Sequence, residues 1–428
     1  MTNDRRFKIS RRALVASSVP LFLSGCITQR IDFFNVLLRS DRISSAEEEK
    51  AVLAKAWRTQ TEDGRITVLC TRGTPYEQGY QQGVLLRDEV RKNLTYMYEK
   101  CIEKFRFKEL FAEAYERQRP YIPETYIDEM HGLAHGARLE LEVVHAIHAL
   151  PEITEWGGKK RLVKVVKQMI RGEELGTTCS NLACSGASTA DGKMYVVRIL
   201  DWGLHRISKL HEHPLLHISV PDVGYASVNI GWMGFLGAVS GINERQITLG
   251  EMGAGDAPNE DMRGTPMPFL LREVLTKADS LADVRSIITG HTGTNKFVYL
   301  MSDGKTGNAE MYLRDRDSFT VAKMGEHLVV GKHELSPPPG VVYGGHYPER
   351  MAPAILENTG KITPDVLMKE MIPKFAMASN FQNVIYDPRA LSGWVANAKN
   401  ATERAAEQPY TYFDFGKILA EFRAKSIG

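Results

Sequence analysis

Cysteine is scarce in this chain, with five in 428 residues, too few for a disulfide framework to carry the fold. No apolar run approaches the ~20 residues that a membrane-spanning helix needs. No stretch interleaves basic and aromatic side chains, so no nucleic-acid surface is expected. Metal ligation is equally unsupported. His131, His135, His145 and His148 recur at spacings of four and three, and His211, His213 and His217 crowd together. The first group has no matching carboxylate cluster and reads as scaffold histidines; the second, which includes Glu212, leads into a predicted strand with no cysteine partner, so neither metal nor cofactor is expected.

What is present is the composition of a soluble globular protein, 43% hydrophobic and 25% charged. The length would accommodate two or three domains, although one large layered fold can absorb it. The formal net charge is +2. Arg5, Arg6, Lys8, Arg11 and Arg12 against Asp4 place the basic excess in the first 25 residues, so the remaining chain is weakly acidic. A basic start, the apolar run Ala13–Leu23 and then Leu23-Ser24-Gly25-Cys26 read as an export signal. The tetrad resembles a lipobox, which implies lipidation at Cys26, and Ser10-Arg11-Arg12 resembles a twin-arginine signal. An ordinary cleaved signal peptide is the alternative. With Ile27 after the cysteine, the periplasmic face of a bacterial outer membrane is the expected location, and membrane contact is expected through the lipid.

The stretch that carries chemistry is Thr177–Trp202. Alternating segments at Ser180–Ser188 and Met194–Trp202 flank Asp191-Gly192, a hairpin signal. Cys179 opens the first segment, while Arg198 and Asp201 lie near the end of the second, so a hairpin returns a guanidinium and a carboxylate to the neighbourhood of a thiol. A buried hairpin with a core cysteine and a surface ion pair would show the same pattern. Cys184, at an odd offset from Cys179, is expected on the opposite face. Cys70 and Cys101 could pair, which spacing cannot decide.

The run C-S-N-L-A-C-S-G-A-S-T-A-D-G-K followed by R-I-L-D-W resembles the cysteine N-terminal-nucleophile hydrolases, in particular the penicillin-forming acyltransferase family. Ile199 stands where that family usually carries asparagine. G-T-P-Y-E-Q-G-Y-Q-Q-G at residues 73–83, Glu129–Gly136 and the strands around Asn243-Glu244 resemble further family segments in the expected order. The first of these also reads as a capping box at Thr74 and Glu77 with proline at the first helical position. Gly79 and Gly83, four apart, mark a helix face built for close packing.

The resemblance implies an α+β fold, a four-layer αββα sandwich of two mostly antiparallel sheets. It implies cleavage between Thr178 and Cys179, making Cys179 both nucleophile and, through its new α-amino group, base. Arg198 and Asp201 would attend the thiol and the amine, and Asn380, in the segment Ala378–Asn383, would donate to the oxyanion. The organisation would be a signal peptide at 1–25, a linker at 26–60, a light-chain part at 61–178 and a heavy-chain part at 179–428. The substrate would be a small N-acyl amide. Two alternatives stay open: a conventional Cys/His thiol protease, which would lack the cleavage, and a catalytically inactive binding module of the same fold. The basic run at 159–171 reads as a solvated helix or propeptide tail ahead of a membrane-lying segment.

Overall fold

A computed structural model describes residues 43–102, 108–155, 177–255, 257–330, 333–345 and 347–425. The leader, Cys26 and the basic run 159–171 lie outside the described residues. The chain forms two units, Met1–Glu49 and Lys50–Gly428, and the second holds two large sheets and a two-stranded one of β12 (Leu328–Val330) and β13 (His333–Leu335).

The fold is mixed α+β. Among the described residues the larger sheet has nine strands. Its order is β1 (Trp57–Gln60), β2 (Thr67–Gly73), β5 (Pro214–Pro221), β6 (Ser227–Trp232), β7 (Ser240–Asn243), β8 (Ile247–Gly253), β9 (Phe297–Asp303), β10 (Asn308–Arg314) and β11 (Phe319–Lys323). The smaller sheet runs β14 (Val341–Gly345), β3 (Thr177–Gly186), β4 (Gly192–Trp202), β15 (Asn380–Asp387), β16 (Ser392–Asn397) and β17 (Thr411–Asp414). Neighbouring strands are antiparallel except β2 and β5.

The sheets stack face to face. Arg198 on β4 pairs with Glu251 on β8, and a Cβ at Gly344 of β14 would lie 2.9 Å from Met311 Sδ on β10. Helices cover the outer faces. On the smaller sheet, Met351 of the helix Pro348–Asn358 reaches Gly345. On the larger, Leu275 of the helix Met267–Lys277 fills the space over Gly241. This is the layered sandwich that the resemblance implied.

The chain ahead of β3 supplies α1 (Ala46–Leu53), α2 (Pro75–Leu85), α3 (Arg87–Met97), α4 (Lys108–Gln118), α5 (Glu124–Ala137) and α6 (Leu141–Glu155). The sequence pattern predicts a helix over Ser45–Arg58. The helix instead ends at Leu53, because Trp57–Gln60 takes up a two-residue alternation and pairs with β2 as an edge strand. The start of α2 is as read: Thr74 Oγ1 accepts from Glu77 N at 3.3 Å and Glu77 Oε2 accepts from Thr74 N at 2.8 Å. The Asp191-Gly192 signal sits at the end of a longer connection and not in a two-residue turn. Gly186 pairs with Gly192 across a bulge, and both adopt left-handed φ, +61° and +73°. Cys70 is a free, buried thiol.

Gly79 and Gly83 of α2 cross α5 at Gly132 and Gly136. A Cβ at Gly79 would fall 2.0 Å from Glu129 O, and one at Gly132 would fall 2.1 Å from Tyr76 O. Backbone faces backbone, so nothing flexible can yield. Gly79→Ala or Gly132→Ala should therefore destabilise the protein by about 1–3 kcal/mol or more. Gly290→Ala, at the open end of the helix Leu281–Gly290 with no atom within 4 Å, should be neutral or stabilising by a few tenths of a kcal/mol. Thermal or urea unfolding checks both; equal losses at the two kinds of site would refute the close-crossing account.

Candidate active site

The strand β3 begins at Thr177, two residues ahead of Cys179. The ladder therefore continues through the Thr178–Cys179 bond: Thr178 pairs with Asp201, Cys179 with Leu200 and Asn181 with Arg198. Residues directly opposite share a face, so Cys179, Asn181, Leu200 and Arg198 face the larger sheet. Ser180, Cys184 and Asp201 face the other way, toward the helix Pro348–Asn358.

In the space between the sheets, Arg198 Nη2 donates to Cys179 Sγ at 3.5 Å and to Glu251 Oε1. Arg198 is 1% exposed, and Glu251 and Cys179 only slightly more. Burial pulls the guanidinium pKa down, but the sulfur and the carboxylate outweigh it and hold Arg198 above its ordinary value. Glu251 is pushed above the usual carboxylate range by burial, against the pull of Arg198. The result is a fixed positive charge at the sulfur, the setting that favours a thiolate nucleophile.

Asp201 lies across the strand from Thr178 with its side chain on the face opposite Cys179 Sγ. There it accepts from Met377 N at 3.2 Å. Burial raises its pKa to about 7, against lowering by the bonds from Met377 and Asn380. Asn380 stands on β15, on the far side of β4 from Cys179. Its Nδ2 donates to the carbonyl of Leu200, the partner of Cys179, at 3.4 Å, and its Oδ1 accepts from Ala406 N at 2.8 Å. The structure thus brings Cys179 and Arg198 into contact and sets Asp201 behind the strand, with Asn380 its direct partner across the ladder.

Glu251 is the site residue that sequence reasoning missed. Its signal was a single carboxylate inside the apolar strand Ile247–Gly253, where an unpartnered charge would be costly. Asn181, fully buried on the same face beside Arg198, was quoted only as part of the motif.

An apolar cavity extends from Cys179 and Glu251, with ≈ 680 Å³ of empty space when its open mouth is counted. Leu200, Trp202, Trp232, Phe235 and Val239 line it from the part of the chain after Cys179, and α3 and α6 close it from the part before. Trp232 stacks on Phe381 at 4.9 Å, and Phe381 on His205 at 4.8 Å. No histidine is among the described residues lining the cavity. The helical histidines serve packing: His145 stacks on Tyr115 at 3.7 Å, and burial lowers its pKa to about 3. Among the described residues no cluster of potential ligands could hold a metal ion.

No family model matches the sequence. Among curated proteins the chain is similar to protein dcd1A of Dictyostelium discoideum, 23% identical over 256 residues, which are 53% of each chain. It is 22% identical to dcd1B of the same organism over 253 residues, 53% of this chain and 46% of that one. An uncharacterized protein of Archaeoglobus fulgidus is 24% identical over 260 residues, 54% of this chain and 40% of that one. The chain thus spans about half the length of the curated relatives it matches. Similar solved structures include a Caenorhabditis elegans ortholog of N-acylethanolamine-hydrolyzing acid amidase, 10% identical with a TM-score of 0.38 over 49% of this chain and 93% of that one. A mutant conjugated bile acid hydrolase from Clostridium perfringens is 12% identical with a TM-score of 0.34 over 56% and 93%. Penicillin V acylase from Agrobacterium tumefaciens is 11% identical with a TM-score of 0.33 over 56% and 87%.

Two predictions come from this geometry. Burial holds the Cys70 and Cys184 thiols up at about 12, while Cys179 lies at the cavity beside Arg198. Iodoacetamide on the native protein near pH 8 should therefore label the Cys179 peptide and spare those of Cys70 and Cys184, as read by peptide mass mapping. For Asp201, a carboxyl raised to about 7 in the fold keeps its proton between pH 4 and 7, where the unfolded chain (pKa ~3.9) loses it. The folded state binds more protons across that window, so stability falls as pH rises and levels off above 7. The stability of the native protein minus that of Asp201→Asn should follow this slope; a flat or rising difference would contradict it.

Proposed function

We propose that this chain is a self-cleaving hydrolase or acyltransferase of linear amide bonds, with Cys179 as its nucleophile. The observation that carries the reading is the Cys179 thiol held 3.5 Å from a buried guanidinium in the wall of an apolar cavity. The resemblance of residues 179–202 to cysteine N-terminal-nucleophile hydrolases supports it. The lack of a histidine among the described cavity residues favours it over a Cys/His thiol protease.

Activation proceeds by attack of Cys179 Sγ on the Thr178 carbonyl carbon. The C–N bond breaks, the nitrogen takes up a proton to become the α-amine of Cys179, and water hydrolyses the thioester to leave a Thr178 carboxylate. That amine titrates near pH ~7.7–8.0, so at neutral pH a useful fraction is free to accept the thiol proton. In turnover the sulfur adds to the substrate carbonyl, the amine product leaves with the proton returned by the α-amino group, and water or a second amine releases the acyl group. Arg198 holds the anionic sulfur. Asn380, released from Leu200 O, donates to the oxyanion, and Asp201 acts on the new amine from behind the strand. Cys26 anchors the exported protein through lipid.

N-terminal sequencing of the purified protein is the test. The expected result is two chains, the heavier beginning Cys-Ser-Asn-Leu. Cys179→Ala should stay whole and lose hydrolysis of an N-acyl amide on the order of 10³-fold or more, whereas Cys184→Ala should process and turn over normally. Asn380→Ala should lower kcat by about 10²–10³-fold, the usual loss for one oxyanion donor. An intact, fully active wild-type chain, or activity that survives Cys179→Ala, would move the nucleophile elsewhere. An intact chain with an unreactive Cys179 would favour a binding module. Separately, Cys26→Ser should shift the protein out of the membrane fraction; unchanged sedimentation with membranes would count against the anchor.

A further inference from the structure

The cavity is built from both sides of the proposed cleavage point. Leu94 and Met97 come from α3, and Ile147 and Leu150 from α6, all ahead of Cys179. The nucleophile end carries Glu251, and no lysine is among the described lining residues. We infer that the acyl group taken here is an uncharged aliphatic one and that Met97 and Leu150, in the segment preceding the nucleophile, set its length. This rests on the reading of Cys179 as the acyl acceptor.

The chemistry of the walls selects the class. Leucine, isoleucine and methionine side chains facing two indoles reward burial of apolar area. Apart from the indoles, Cys179 and Glu251, Asn93 and Thr154 are the only polar side chains among the described lining residues and neither is charged, so a carboxylate on the distal end of the acyl chain would lose its hydration without a cationic partner. Glu251, beside the sulfur and already paired to Arg198, adds repulsion toward a second carboxylate.

The wall is preformed. Asn93 Nδ2 donates to Met233 O at 2.7 Å and fixes α3 against the strand end. Gly234 is packed so closely by Leu94 that a Cβ there would lie 2.9 Å from it. For α6, His148 Nε2 accepts from Leu236 N at 2.8 Å and its ring stacks on Phe235 at 5.4 Å. Fully buried Glu152 accepts from Thr294 Oγ1 at 2.6 Å and from Asn295 Nδ2 at 2.8 Å. Cutting the chain at Thr178–Cys179 breaks none of these bonds, so the preceding segment stays seated and continues to measure the acyl group.

The test is binding without chemistry. Calorimetric titration of full-length Cys179→Ala with octanamide, butanamide and 8-amino-8-oxooctanoate should give octanamide at least tenfold tighter than either of the others. Adding Leu150→Trp or Met97→Trp should weaken octanamide at least tenfold and leave butanamide within about twofold, with melting temperature and near-UV circular dichroism as the check on folding. If a tryptophan variant does not fold, the comparison of octanamide with its ω-carboxylate on the unaltered wall decides. Equal binding of those two, absence of octanamide binding, or a length preference unmoved in folded variants at both positions would overturn the inference. A wild-type chain that binds octanamide as described but hydrolyses no amide would instead overturn the catalytic reading and leave only the cavity's preference for uncharged aliphatic chains.

Discussion

A guanidinium placed between two β-sheets is the constraint on which the rest of this molecule depends. Arg198 is too strongly basic to shed its proton, so its burial is tolerable only if charge and hydrogen bonds meet it. Glu251 supplies the charge from the other sheet, and the sulfur of Cys179 occupies the remaining approach of Nη2. The pair therefore couples three features that would otherwise be independent. They are the register of the β3–β4 hairpin, the stacking of that hairpin on β8, and the position of the thiol. Slipping the register by one residue would carry Arg198 to the outer face and leave Glu251 buried and unpaired.

The half of the chain ahead of β3 is joined to the other half with comparable firmness, by a parallel strand pair and by buried polar contacts. β2 lies beside β5 in the larger sheet. Arg272 reaches Glu129 at 3.0 Å, and Tyr126 Oη donates to Glu273 at 2.8 Å. Close crossing of α2 and α5 through four glycines brings the backbones of those two helices together. The seating of α3 and α6 matters to the site, because both line the cavity that reaches Cys179.

Much of this was legible in the sequence where the signal was local. The capping box at Thr74, the spacing of Gly79 and Gly83, and the alternation that sets Cys179 and Cys184 on opposite faces each rest on a few adjacent residues and one backbone period. Features that require two distant segments to meet were not legible. Glu251 is 53 residues from Arg198, and only the stacking of the sheets brings them together. The cavity draws its wall from α3 and α6, which no motif in the sequence marks as facing Cys179. Trp57–Gln60 became a strand because β2 offered an edge, a tertiary effect that local periodicity does not contain. Asp201 is instructive in the same way. The hairpin brings its backbone beside Thr178, yet period two turns its side chain to the face opposite the Cys179 sulfur.

The position of the Thr178–Cys179 bond has a mechanical implication. Within the ladder a peptide carbonyl lies in the plane of the sheet, while the side chain projects out of it. The proposed attack of the Cys179 sulfur, which projects from the sheet, on the in-plane Thr178 carbonyl carbon therefore requires the strand to twist at that point. Thr177 is the first residue of β3, and only two ladder positions precede Cys179. Strand ends open at little cost compared with ladder interiors, so the geometry needed for attack is available by local fraying while Arg198 and the rest of the hairpin stay in place. Asp201 faces the segment that must move, since it pairs with Thr178. Its carboxyl is neutral below about pH 7 and ionised above, so its charge next to the opening strand changes within the range where the α-amine of Cys179 would itself begin to lose its proton.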